Sequence, residues 1–95
     1  MEITTEVRDG TVTIALSGAF DFASRRAFKR ECARYLAGSQ VTTVSVDLSG
    51  VAHDRTLPGL LLVVREHARG VGKRMLVRNA DAETDAALAL TAFYD

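Results

Sequence analysis

Apolar and polar residues alternate through two short runs at the start of the chain, and the period then changes. Ile3, Thr5 and Val7 share one side of the first run, and Val12, Ile14 and Leu16 share one side of the second. Asp9-Gly10 between them has the chemistry of a two-residue hairpin turn, so residues 1 to 18 read as two antiparallel strands. Ser17-Gly18 breaks this pattern. From about Phe22 to Ala37 the spacing is helical, with Phe28, Cys32, Tyr35 and Leu36 on one side and Arg25, Arg26, Lys29, Arg30 and Arg34 over much of the rest. Surface helices commonly carry such charge, so the basic face reads as solvated, with an acidic partner as the alternative.

Gly38-Ser39 ends that helix, and VTTVSVDL follows, β-branched and alternating, with Val44, Val46 and Leu48 on one face of a strand. Beyond the segment HDRTLPG, residues Leu57, Leu60, Leu61, Val64, Ala68 and Val71 recur at helical spacing and close on Gly70 and Gly72. MLVR, 75 to 78, reads as a short buried strand. Asn79 or Asp81 then caps a last helix whose Ala86, Leu90 and Phe93 face inward. The predicted order is β-β-α-β-α-β-α. A strand, helix, strand passage from 41 to 78 implies a right-handed crossover with parallel strands, while the opening hairpin is antiparallel; the fold class is α/β with a mixed β-sheet packed with helices.

Ninety-five residues form one small domain, 1–95, with room for a single core and no second lobe. Twelve basic residues balance twelve acidic ones, which leaves no global field to draw the chain onto nucleic acid or an anionic membrane. The start, MEITTEV, carries acid and is followed by no apolar run, so neither a signal peptide nor a transmembrane helix is expected and a cytoplasmic location is favoured.

The catalytic patterns are absent. Gly-x-Ser-x-Gly, the phosphate-binding Gly-x-x-x-x-Gly-Lys-Ser/Thr loop and the dinucleotide fingerprint do not occur. One cysteine, Cys32, and two isolated histidines make no zinc set; Cys32 reads as a small core hydrophobe and His67 as a packing residue at the edge of its helix's apolar stripe. His53-Asp54 with Thr56 suggests acid-base chemistry, but the domain offers little room for a substrate pocket. No cofactor, no metal and no enzymatic activity are expected.

Four stretches in this order resemble the STAS domain, the module shared by anti-sigma-factor antagonists and the cytoplasmic tails of sulfate transporters. LSGAFDFAS, 16 to 24, is similar to the family's turn after the second strand, with Gly18 and Asp21 in place. VSVDLSGV, 44 to 51, is similar to its central strand. HDRTLPGLLLVVREHARGVGKRMLVRN spans its signature loop, second helix and following strand, and DAETDAALALTAF resembles its closing helix. Where the family loop reads Asp-Ser-Ser-Gly-Leu-Gly, this chain reads Asp54-Arg55-Thr56-Leu57-Pro58-Gly59.

The resemblance implies a protein-binding module. It places Thr56 at the position that a serine kinase phosphorylates, and it makes an anti-sigma factor with kinase activity the partner. Asp21 and Asp54 would shape the adjoining loops, and Arg55, Pro58 and Leu62 would be contacts. Thr56 also reads as the N-cap of its helix, accepting an N–H two or three residues on, and a phosphate there would meet free N–H donors. Leu62 is expected to point nearly opposite the core stripe, as an apolar spot beside the loop. Arg55, Leu57 and Pro58 depart from the family loop. They suit the alternative better: a constitutive adaptor on the cytoplasmic side of a lipid-type ABC transporter. A third reading, nucleotide binding by the loop, lacks a glycine run.

Overall fold

The computed structural model describes residues 1–52, 54–91 and 93. They form four strands and three helices in the order β1 (Glu2–Arg8), β2 (Thr11–Ser17), α1 (Phe22–Ala37), β3 (Thr43–Gly50), α2 (Leu57–Gly70), β4 (Arg74–Arg78) and α3 (Ala82–Leu90). This is the expected order. The sheet runs β1-β2-β3-β4, with β1 antiparallel to β2 and the other two pairings parallel. The β1–β2 turn is left-handed at both Asp9 (φ 51) and Gly10 (φ 79), the backbone that a two-residue hairpin requires.

Both parallel crossovers step the same way across the sheet, so right-handed connections put α1 and α2 on one face. Val12, Ile14, Leu16, Val44, Val46 and Leu48 meet Phe28, Cys32, Leu36, Leu57, Leu61, Val64 and Ala68 there. Strand alternation sends Thr13, Ser45 and Leu76, paired across neighbouring strands, to the other face. The Cys32 thiol is free and buried; burial pushes its pKa up to about 12, so it stays protonated and serves as core.

Four expectations about packing need correction. β4 is half-buried, not buried, because it is an edge strand with Leu76 exposed on the uncovered face. In α3 the inward residues are Thr84 and Leu88, while Ala86 is exposed and Leu90 is 89% exposed; Phe93 does turn inward. Val71 is exposed, since α2 ends at Gly70. A Schellman closure follows, with Gly72 left-handed (φ 73) and the Lys73 N–H donating to the Ala68 carbonyl at 2.8 Å. His67 is exposed, so it is not the packing residue expected.

The exits of β2 and β3 are drawn tightly together. Gly50 pairs with Ser17 past an irregularity in the register, and the Gly18 N–H donates to the Gly50 carbonyl at 3.1 Å. A Cβ on Gly50 would lie 2.7 Å from Ser17 Cβ and 2.8 Å from the Leu16 oxygen, so a glycine is required. This approach makes the loops entering α1 and α2 neighbours.

Candidate functional site

Each helix begins at the carboxyl end of a parallel strand, and the three mouths are not built alike. Asp21 before α1 (φ −98, ψ −176) and Asp81 before α3 (φ −70, ψ 170) have the extended backbone of an N-cap. Each carboxylate accepts the N–H three residues on, from Ser24 and Thr84, both at 2.8 Å. Of the two caps left open for α3, Asp81 is therefore the one used. Asn79 is left-handed (φ 59) and donates its amide to Asp47 Oδ1 at 2.9 Å. The Ser24 N–H holds the Asp21 carboxyl below its ordinary 3.8, and the Asn79 bond does the same for Asp47.

The expected cap at Thr56 is absent. Its backbone is already helical (φ −89, ψ −15), and its side chain accepts no helix N–H. A capping hydroxyl needs an extended backbone to turn it over the first amides, and one of those amides is missing at Pro58. Asp54 serves the entrance instead. Its Oδ1 accepts the Thr56 N–H at 2.8 Å and the Thr56 hydroxyl at 2.5 Å, and its carbonyl accepts the Leu57 N–H at 3.1 Å. The free N–H donors expected for a phosphate are thus largely occupied: Thr56 and Leu57 donate to Asp54, Pro58 has none, and only the Gly59 N–H lacks a partner among the described residues.

A residue of the basic face expected to be solvated joins this loop. Arg25, in the first turn of α1, donates Nη1 to Thr56 Oγ1 at 3.0 Å across 31 residues of chain. Its N–H donates to the Asp21 carbonyl at 3.0 Å, and its guanidinium lies 5.7 Å from the Phe22 ring centroid. Asp21, Arg25, Asp54 and Thr56 are therefore linked. No spacing in the sequence signals this contact, because it depends on the Gly50 approach.

The other site residues divide. Arg55 is exposed beside Thr56. Pro58 is buried in the first turn of α2 and offers little surface to a partner. Leu62 is half-buried and packs against the core, so it is not the outward spot expected; the large exposed apolar side chains on α1 and α2 are Phe22 and Val63, the latter 52% exposed. His53, paired with Asp54 in the acid-base reading, lies outside the described residues. Among the described residues no helix is long and apolar enough to cross a membrane, and no cluster of three or more His, Cys, Asp or Glu is placed to hold a metal.

A family model described as Mlab, STAS domain, matches residues 3–94. Among solved structures, the phosphorylated form of the Bacillus cell-fate determinant SpoIIAA is 19% identical, with a TM-score of 0.82 over 98% of this chain and 86% of that one. The unphosphorylated form of the anti-sigma factor antagonist SpoIIAA gives 19% identity and a TM-score of 0.77 over 96% and 81% of the two chains. Mglu gives 19% and 0.70, over 83% of this chain but 20% of its own length. At these identities the likeness is one of fold. A comparison with curated proteins finds no match.

Proposed function

The chain belongs to the STAS domain family, and on that premise we propose that it is a cytoplasmic, non-enzymatic regulator that binds a protein through the 54–59 loop and is switched by phosphorylation of Thr56. The observation that carries this reading is the Thr56 hydroxyl. It is exposed at the mouth of α2, makes no capping bond and, among the described residues, is hydrogen-bonded only to other side chains, so its modification costs the helix no cap. A phosphate there adds about two negative charges to a surface that a partner reads. SpoIIAA, of like fold, has been solved in both phosphorylated and unphosphorylated forms. The partner in this reading is an anti-sigma factor with serine kinase activity, bound by the unmodified domain and released by the phosphorylated one. Arg55 and the exposed Val63 and Phe22 are the side chains available to it.

One observation favours the alternative, an adaptor on the cytoplasmic side of a lipid-type ABC transporter. Leu57 and Pro58, where the loop departs from its family pattern, are both buried, so the added bulk serves the core. The deciding experiment recovers the protein from its native cells with bound partners, measures intact mass and maps any phosphate by fragmentation. Phosphate on Thr56 beside a kinase-like partner is the expected result, and Thr56→Glu should then weaken that partner's binding tenfold or more. An unmodified chain held by a transporter ATPase or permease would overturn the switch in favour of the adaptor.

A further inference from the structure

The geometry points to Arg25 as the group that receives the phosphate on Thr56, clamping the entrance of α2 to the first turn of α1. This inference rests on Thr56 being the phosphoacceptor. Phosphorylation by a nucleoside triphosphate breaks the bond from the terminal phosphorus to its bridging oxygen and forms a bond from that phosphorus to Thr56 Oγ1. The hydroxyl proton leaves, and a nucleoside diphosphate departs. That proton is the one donated to Asp54 Oδ1, so the ester loses this hydrogen bond and sets a dianion beside a carboxylate. The Thr56–Asp54 contact turns from attractive to repulsive.

Few groups can offset it. Two of the amides at the α2 entrance donate to Asp54, and Pro58 lacks one. Arg25 already points Nη1 at the atom that becomes the ester oxygen, at 3.0 Å, and a guanidinium fork suits two phosphate oxygens. Its placement is built: the Asp21 cap fixes the first turn of α1, the Arg25 N–H donates to the Asp21 carbonyl, and the guanidinium lies against the Phe22 ring. It is half-buried, and among the described residues no carboxylate lies within salt-bridge distance of it. Arg55, adjacent in sequence, is exposed and makes no bond to Thr56 among the described residues. The exposed Arg26, Lys29 and Arg30 of α1 add positive field on the same helix. Phosphorylation then exchanges the hydroxyl contact between Thr56 and Asp54 within one loop for a clamp between two helices.

The test uses the full chain with phosphothreonine incorporated at position 56 during translation, so it does not depend on any kinase. Phosphorus NMR follows the second ionisation of the phosphate, folded and in urea. In the folded protein the guanidinium is expected to lower that pKa by about 0.5–1 unit relative to urea. Arg25→Gln should abolish the difference, Arg25→Lys should keep about half of it, and Arg55→Gln should leave it in place. Amide spectra of each variant confirm the fold, and retention by Arg25→Lys guards against a folding defect in Arg25→Gln. An unshifted phosphate in the parent chain, or a shift that follows Arg55 and ignores Arg25, overturns the clamp. The phosphoacceptor reading fails separately, if the phosphorylated and unmodified chains bind the partner equally well.

Discussion

The mouths of α1 and α2 stand side by side, and only one of them is built for helix stability. At α1 an acidic residue with extended backbone accepts the N–H three residues on; at α2 a threonine with helical backbone accepts none, and a proline follows two residues later. α3 repeats the α1 solution. Thr56 has the right residue type for a cap and yet is spent on Asp54 and on a guanidinium from another helix. A polar side chain relieved of a local structural task and held at the surface by longer-range bonds is what a modifiable or partner-reading position needs. Local propensity yields to tertiary geometry there, and sites of function are where such departures are expected.

The largest effect is expected from pulling the two mouths apart. Gly50→Val should do so, because its Cβ would fall within 3 Å of Ser17 and the Leu16 oxygen; a loss of about 1–3 kcal/mol in urea unfolding is expected, with loss of the Arg25–Thr56 contact seen as shifts of both residues' NMR signals. Next in size is the contrast of caps. Asp81→Ala should cost about 1 kcal/mol, whereas Thr56→Ala should stay within about 0.5 kcal/mol, since it removes only exposed side-chain bonds; equal costs would make Thr56 a cap after all.

The smallest effect is in acid. Asp21 and Asp47 have folded pKa values below 3.8, held there first by the Ser24 N–H and the Asn79 amide respectively. A lowered carboxylate contributes stability that is present above its unfolded pKa and is lost as pH falls through the folded one. Stability should therefore decline below about pH 4. Asp21→Asn, which still caps, should leave neutral stability near its starting value and flatten that decline; an unchanged acid limb would remove Asp21 as a contributor.

The alternation in Val44, Val46 and Leu48 was readable because one face of that strand is buried and its side chains alternate strictly between faces. The amphipathic run of α1 and the turn at Asp9-Gly10 were readable for equally local reasons. The candidate loop was readable as a stretch, but the roles within it were not. On α2 the core direction is set by Leu57, Leu61, Val64 and Ala68, and at about 100° per residue Leu62 and Val63 stand at nearly equal angles, about 130°, on either side of it. The sequence treats these two alike; neighbouring elements half-cover Leu62 and leave Val63 open. In α3 the run AALAL offers little contrast, so the docked position of the helix, more than its pattern, selected Leu88 over Leu90.

What depends on neighbours within a few residues is legible in the chain: the order β-β-α-β-α-β-α, and the mixed sheet that follows from one tight turn and a helical crossover. That Arg25 reaches Thr56, that Thr56 does not cap its helix, and which flank of α2 meets solvent are settled by long-range packing. Those outcomes rest on the approach of two strand exits at Gly50 and on the rotation of packed helices. Such quantities are set by contacts tens of residues apart, and periodicity and propensity do not encode them.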